Sequence, residues 1–210
     1  MSRFLSLPLL LVIVLAVLVA CGASSPAAIV NGEEISTAEL DGRVERSRAL
    51  YEAQGQELDD EALVEELREL TLDEMITDLL LKQKGREQGI DADHAEVEAL
   101  YDALVERSGG EAELEAERER QGLTREELMG YLVAQAVVEA NVAERLAAQG
   151  EPTEAELREM HEEFASYMEV PPFEEVRDFL ADQMEAYRWE EAATLFLDDL
   201  RADATVEKLL

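Results

Sequence analysis

The stretch LTLDEMITDLLLKQKGREQGI, residues 70–90, forms the second half of a long predicted helix. Asp60 is a suitable N-cap for this helix, and Gly89 is a suitable end because glycine readily takes the left-handed conformation that follows a helix C-terminus. Apolar side chains recur between them at helical spacing. They predict a buried stripe of Leu63, Leu67, Leu70, Ile76, Leu79 and Leu80. We therefore expect a helix from residue 60 to residue 88 with one face in a core.

Further helices are predicted on both sides of this one, and several begin at a capping box. Such a box pairs a Ser or Thr side chain with a Glu three residues later, which satisfies two backbone N–H groups at the helix start. The predicted helix starts are Ser36, Asp60, Asp93, Glu111, Thr124, Thr153 and Phe173. Glycines at 55, 89, 109, 110, 122 and 150 are suited to end the first five of them.

Three more of these helices carry a predicted apolar face. The first helix presents Leu40, Val44 and Leu50. The helix from Thr124 presents Leu128, Leu132, Val138, Val142 and Leu146. The last helix, from about Phe173 to Ala202, presents Phe173, Val176, Leu180, Met184 and Tyr187.

Short strands are predicted at the two ends of this helical region. Residues 28–31 resemble a strand that turns at Asn31-Gly32, and residues 205–207 are suited to a closing strand. An isolated short strand leaves its backbone donors and acceptors without partners, so we expect these two segments to pair with each other. The predicted fold class is therefore all-α, with a small strand pair from the N- and C-terminal segments.

The N-terminus has the pattern of a bacterial lipoprotein signal. A positive residue at Arg3 precedes an apolar run from Phe4 to Ala20, and Leu18-Val19-Ala20-Cys21 resembles a lipobox, in which the cysteine thiol receives a diacylglyceryl group. We expect residues 1–20 to be a signal peptide, residues 21–27 a lipidated tether and residues 28–210 the folded domain, with 173–210 as a C-terminal helix and strand that complete its core. The alternative is an uncleaved anchor with an incidental cysteine.

The composition restricts the class of partner. The chain of 210 residues has 50 Asp and Glu against 18 Lys and Arg, a formal net charge of -32. Such a surface repels nucleic-acid phosphates and anionic lipid heads, and it attracts basic unfolded polypeptide at low ionic strength. An adaptation of the whole proteome to high salt would give the same composition. With a single cysteine, Cys21, the chain has no intramolecular disulfide.

Three segments in order resemble the N-terminal chaperone region of SurA and PrsA, which are extracytoplasmic bacterial foldases. They are AIVNGEEISTAEL (28–40), the stretch at 70–90, and EPTEAELREMHEEF (151–164), and the tail from 173 to 210 resembles the family's C-terminal helix and strand. The resemblance implies a helical chaperone module with paired terminal strands. It departs from the family at residues 165–172, ASYMEVPP, where SurA and PrsA carry a parvulin prolyl isomerase domain. The resemblance therefore implies a chaperone without isomerase activity.

The sequence contains no catalytic or metal-binding motif that competes with this interpretation. Neither His94 nor His161 has a second histidine at the HExxH spacing. His94 occupies a helix-capping position, and His161-Glu162-Glu163 is typical of a solvated helix face. We therefore expect no catalytic residues, no metal and no cofactor, and we expect that the protein is not an enzyme.

The candidate client-binding residues are Met160, Phe164, Tyr167 and Met168, which recur at helical spacing just before a proline-rich break. Flexible methionine and aromatic side chains adapt to varied apolar partners. The alternative is that this face packs against the C-terminal helix. Trp189, Phe196 and Leu200 pose the same choice, and for them core packing is favoured.

These observations predict an ATP-independent chaperone that binds unfolded or assembling secreted proteins through an apolar cleft. A lipid anchor would hold it on the extracytoplasmic side, on the outer membrane facing the periplasm or on the outer face of the plasma membrane. A different class of function would use the same scaffold: a dedicated structural or assembly adapter that holds one envelope partner.

Overall fold

A computed structural model describes residues 25–53, 55–56 and 60–209. These residues form seven α-helices and three short β-strands, which confirms the predicted all-α class with a small sheet. In chain order the elements are β1 (Pro26–Val30), β2 (Glu33–Ser36), α1 (Thr37–Ala53), α2 (Glu61–Gln88), α3 (Ala95–Ser108), α4 (Glu111–Arg120), α5 (Arg125–Gln149), α6 (Glu154–Tyr167), α7 (Phe173–Ala202) and β3 (Val206–Lys208).

The sheet joins the two ends of the folded chain. Its strand order is β2-β1-β3 and both pairings are antiparallel, with Val30 opposite Val206. The predicted pairing of the terminal segments is thus confirmed. The sequence did not predict β2, because Ile35 is the single apolar residue in that strand. β1 also begins earlier than predicted and includes Pro26 and Ala27, the last two residues of the predicted tether.

The predicted helix caps are present with one change. The Asp60 side chain accepts a hydrogen bond from Ala62 N–H at 2.9 Å, Gly89 is left-handed, and Thr124 and Thr153 each form a complete capping box. α3 begins one residue later than the predicted start at Asp93, and its N-cap is His94, which confirms the predicted capping role of this histidine. The His94 ring nitrogen Nδ1 accepts a hydrogen bond from the Glu96 N–H at 3.4 Å, so an imidazole nitrogen caps this helix in place of the Asp93 carboxylate.

The core is built in successive clusters along the molecule. The first lies between the sheet, the start of α1 and the second half of α2, and the second joins α2, α3, α5 and α7. A small third cluster joins α5 to α7, and a fourth joins α6 to the first half of α7. α7 is therefore the element that links the sheet end of the molecule to α6.

Four residues predicted to be buried are instead exposed: Leu50, Leu63, Leu70 and Tyr187. Leu50 and Leu63 lie near the connection between α1 and α2, remote from the sheet that covers the other ends of these helices. The buried face of α2 runs through Leu72, Ile76 and Leu80, which leaves Leu70 outside it. Tyr187 lies between the part of α7 that packs on α6 and the part that packs on α5.

The expected signal peptide and the expected lipidation site, Cys21, lie outside the described residues. Across residues 25–53, 55–56 and 60–209, no helix has the length and apolar character that spanning a bilayer requires.

Candidate functional site

The α6–α7 hairpin extends from the rest of the molecule. α6 packs on the first half of α7, and the second half of α7 packs on α5. Five residues, 168–172, connect the two helices, ending in Pro171-Pro172. Proline fixes the backbone in a conformation suited to a helix start, and Pro172 is the N-cap of α7.

The candidate client-binding residues divide into two pairs. Met160 and Phe164 are half-buried against the cluster of Leu157, Phe173 and Leu180, which we call the hairpin core. The alternative of packing against the C-terminal helix is therefore correct for this pair.

Tyr167 and Met168 remain exposed, at 69% and 61% respectively. The reason is that α6 ends at Tyr167, and the extended backbone of Met168 leaves the helix face. The Tyr167 hydroxyl donates to Glu163 Oε1 at 2.8 Å, and this hydrogen bond raises the pKa of Tyr167. This pair forms an apolar tip at the end of the hairpin.

His161 does not lie on a solvated helix face as predicted. It is half-buried, and a hydrogen bond of 2.8 Å joins its Nε2 to the carbonyl oxygen of Pro171. The His161 ring also packs edge to face against the Phe173 ring, with 5.7 Å between the ring centres. On the Phe173 ring, the guanidinium carbon of Arg158 lies 4.1 Å from the ring centre. These contacts fix the turn into α7 and give His161 a structural role. Within the described part of the chain, no cluster of three or more His, Cys, Asp or Glu is arranged to hold a metal ion.

A groove of about 600 Å³ lies where α5 ends, α6 begins and α7 passes both; we call it the junction groove. Its apolar lining comprises Leu146, Ala147, Pro152, Ala186 and Trp189. Trp189 is 45% exposed, so the expectation of core packing is wrong for it, whereas Phe196 is buried and Leu200 is partly buried as expected. The groove therefore presents the one tryptophan of the chain to solvent.

Three carboxylates line the same groove: Glu151, Asp182 and Glu185. All three are exposed, and none forms an ion pair with another described residue. Asp182, Glu185 and Trp189 share one face of α7 because residues three, four and seven positions apart lie on the same side of a helix. The groove thus combines an apolar floor with unneutralised negative charge.

Arg188 also lines the groove, but its guanidinium group is already bound to other groups of the protein. Its side chain is 12% exposed, and it donates to the carbonyl oxygen of Gly150 at 2.9 Å and to the carboxylate of Glu156. Hydrogen bonds from Thr153, together with Arg188, hold the pKa of Glu156 below its ordinary value. These contacts join α7 to the start of α6 and fix one wall of the groove.

A second groove, of about 510 Å³, lies between β2, α1, α2 and the start of α5. Three of its six carboxylates form ion pairs: Asp78 with Arg43 at 2.7 Å, Glu127 with Arg46 at 2.6 Å, and Glu33 with Arg86. Arg43 also lies over the ring of Tyr131 at 5.8 Å. Burial raises the pKa of Tyr131 more than Arg43 lowers it. Such a lining suits apolar segments less well than the junction groove does.

Sequence reasoning did not identify the junction groove. Leu146 and Trp189 were expected in the core, and Ala147, Pro152 and Ala186 drew no prediction. The available signal was the Gly150-Glu151-Pro152 break after α5, together with acidic residues at helical spacing before a tryptophan.

The fold is a helical scaffold with a small sheet and two open grooves. The model of the SurA-like N-terminal domain matches residues 4–106, slightly under half of the 210 residues. The chain is therefore similar to SurA-like domains from its N-terminus through most of α3. This similarity supports a relation to a chaperone-like, extracytoplasmic family. A search of curated proteins found no match. The junction groove lies beyond the matched residues.

Proposed function

We propose that the protein is an ATP-independent chaperone of the holdase type, which binds unfolded or assembling secreted and envelope proteins transiently. The observation that carries this proposal is the junction groove, an open apolar concavity that exposes Trp189. The apolar tip of Tyr167 and Met168 adds a second contact surface on the same hairpin. The similarity of the N-terminal half to SurA-like domains supports the same class of function.

The chemistry of the groove fits an unfolded chain better than a defined small molecule. Burial of apolar surface is favourable by about 25 cal/mol per Å² and is not directional, so it accepts many sequences. Small-molecule sites instead place a few polar groups to fix one orientation. In the junction groove the one basic group, Arg188, is held by Gly150 and Glu156 and is not directed at a ligand.

We further propose that the protein has no prolyl isomerase activity, is not an enzyme and needs no cofactor. The five-residue connection between α6 and α7 supports this proposal. It occupies the place where SurA and PrsA carry a parvulin domain, and five residues are far too few to form one.

The proposed location is the extracytoplasmic face of a membrane, with the protein anchored through lipidated Cys21. The lipobox-like Leu18-Val19-Ala20-Cys21 supports this anchor, and the similarity to SurA-like domains supports the compartment. Stable anchoring requires two or more acyl chains, because each buried methylene contributes only ~0.8 kcal/mol.

A second candidate function is a dedicated assembly adapter for one envelope partner. The contacts of Arg188 favour it, because they fix a wall of the groove before any partner binds. Apolar recognition of a single partner needs such a pre-organised surface.

The distinguishing experiment measures the aggregation of several unrelated denatured proteins with and without the chain. A holdase slows aggregation of most of them, whereas an adapter slows none. Trp189→Ala should reduce the effect, and so should Ala186→Gln, which places a polar group in the apolar lining without changing the charge of the groove. Leu195→Ala is the matched control, because Leu195 is on the same helix at 48% exposure and does not line the groove.

Melting curves establish first that each variant is folded. A wild-type protein that slows no client's aggregation would reject the holdase function. An equal loss in the Leu195 control would show that general apolar exposure on α7, and not the groove, is responsible.

A further inference from the structure

We infer that the junction groove selects segments in which an apolar anchor lies beside lysine or arginine. This inference rests on the proposed function, and it names the class of client that the groove prefers. The anchor contacts Trp189, and the basic side chains meet Glu151, Asp182 and Glu185.

The charge balance of the groove carries the inference. Its lining has three exposed carboxylates and one arginine, and that arginine is bonded to Gly150 and Glu156. Because the three carboxylates have no ion-pair partner in the described part of the chain, a bound cation displaces no existing contact.

The second groove provides an internal comparison. There the carboxylates of Asp78 and Glu127 already meet Arg43 and Arg46. A basic segment would have to compete with those arginines at Asp78 and Glu127, although Glu34, Glu39 and Glu126 in the same lining form no ion pair with a described residue. The junction groove differs in its cations: its single arginine is held by Gly150 and Glu156, whereas Arg43 and Lys82 add positive charge to the lining of the second groove.

The geometry sets the spacing within the client. Asp182 and Trp189 are seven residues apart on α7, which corresponds to about 10 Å along the helix axis. An extended peptide covers that distance in about three residues. The basic residues should therefore lie within about three positions of the apolar anchor.

The net charge of the chain makes a second copy of the same chain an unfavourable occupant of the junction groove. Each chain carries a net charge of -32, so two acidic grooves and surfaces repel each other, whereas a basic segment is attracted before contact. Exposed ion pairs each change affinity by a few-fold or less. Three carboxylates acting together should favour a basic peptide over a neutral one by roughly ten-fold at low salt.

The test uses the full chain reconstituted in phosphatidylcholine vesicles and reads the fluorescence of Trp189, the single tryptophan. The probes are three peptides with the same leucine and phenylalanine anchor, flanked by lysine, glutamine or glutamate. We expect the lysine peptide to bind roughly ten-fold more tightly than the glutamine peptide, and the glutamate peptide to bind least. About 500 mM NaCl should remove most of the difference.

The groove variant is Glu151→Gln with Asp182→Asn and Glu185→Gln. It should bind the lysine peptide only as tightly as the wild type binds the glutamine peptide. The matched control is Glu98→Gln with Asp102→Asn and Glu106→Gln, three exposed residues of α3 that do not line the groove. This control changes the net charge by the same amount as the groove variant, and it should still bind the lysine peptide more tightly than the glutamine peptide.

Equal affinity for the lysine and glutamine peptides would overturn the inference, and so would an equal loss in both triple variants. If denatured clients are still protected from aggregation in either case, the proposed function stands and only the selectivity is wrong. If no client is protected and no peptide changes the fluorescence, both fail. A fluorescence change caused by self-association without peptide would also overturn the assigned occupant.

Discussion

Asn31 and Thr205 are 174 residues apart in the chain and exchange two hydrogen bonds. The Asn31 backbone N–H donates to the Thr205 carbonyl oxygen at 2.9 Å, and Asn31 Oδ1 accepts the Thr205 N–H at 2.9 Å. The side-chain amide of Asn31 also donates to Gln83 Oε1 of α2 at 2.8 Å. One residue at the β1–β2 turn thus joins the first strand, the C-terminal segment and the second helix.

Asn31→Ala should destabilise the domain by about 1–3 kcal/mol, because Asn31 has a φ of +52° and alanine disfavours this left-handed conformation. The substitution also removes both side-chain hydrogen bonds. Asn31→Gly separates the two effects, since glycine tolerates the backbone but makes neither bond. Urea unfolding measures both variants, and a glycine variant as stable as wild type would show that the side-chain bonds contribute nothing.

Deletion of residues 204–210 should lower the melting temperature of the whole domain. It removes β3, which pairs with β1, and the hydrogen bond from Leu209 N–H to the Ala27 carbonyl at 2.8 Å. Because β1 covers the first core cluster, we expect one cooperative transition at lower temperature. Helical circular dichroism during heating tests this, and an unchanged transition would contradict a structural role for the strand pair.

Gly85→Ala should destabilise the protein, although alanine is normally the better helix residue. A Cβ atom at Gly85 would lie 2.7 Å from the carbonyl oxygen of Ile90 and 3.2 Å from a methyl group of Val137. Relief of that overlap costs about 1–3 kcal/mol. Gly130→Ala in α5 is the control, because nothing lies within 4 Å of its added Cβ.

The control should be more stable than wild type by up to about 1 kcal/mol. Denaturant melts of the two variants should therefore move in opposite directions. Stabilisation of both variants would mean that helix propensity, and not the close approach at Gly85, decides the outcome.

Glu127→Gln should reduce stability at neutral pH by about 1 kcal/mol or less. Burial raises the pKa of Glu127, but hydrogen bonds from Thr124 and the charge of Arg46 outweigh it, so the pKa lies below its ordinary value. A carboxyl whose pKa is lower in the folded state stabilises the fold above its unfolded pKa of about 4.3, and this contribution is lost as the pH falls through the folded value.

The difference between wild type and Glu127→Gln should therefore be largest at neutral pH and disappear in acid. Urea unfolding at several pH values measures it. Glu126→Gln, which removes a charge from the same helix turn outside the capping box, is the control. A difference that stays constant with pH would rule out the charged form as the source of the stabilisation.

Cys21→Ser should leave an unprocessed precursor without acyl mass, because serine has no thiol to form the thioether that precedes cleavage. Intact mass spectrometry and detergent partitioning of membrane fractions measure the outcome. Mature wild-type protein that lacks acyl mass would reject the proposed lipid anchor.

Features set by neighbouring residues could be predicted from the sequence, and features set by distant contacts could not. The capping boxes at Thr124 and Thr153 are local, and so are the starts of α5 and α6 that they define. The exposure of Leu70 depends on where α1 crosses α2, and sequence spacing does not contain that information. β2 is not predicted for the same reason: its backbone hydrogen bonds to β1 stabilise it as a strand, although its own sequence has a single apolar residue.

The candidate site shows the same division. The spacing of Met160, Phe164, Tyr167 and Met168 identified an apolar face, but the position of α7 decides which of them are covered. Trp189 was expected in the core because tryptophan usually packs there. It is instead exposed in the junction groove, beside the contacts of Arg188 to Gly150 and Glu156 that join α7 to the start of α6, and sequence spacing does not contain those distant contacts.

The length of α7 determines how large a region of solution the groove can search. The helix has 30 residues, about 45 Å, and its C-terminal end is beside the sheet. With the proposed anchor at Cys21, five residues separate the lipid from β1, a span of at most about 18 Å. The groove, about 20–30 Å further along α7, then samples a hemisphere about 50 Å in radius. One groove in that volume has an effective concentration in the millimolar range toward any chain emerging at the same patch of membrane, so even weak, rapidly reversible binding would keep such a chain occupied.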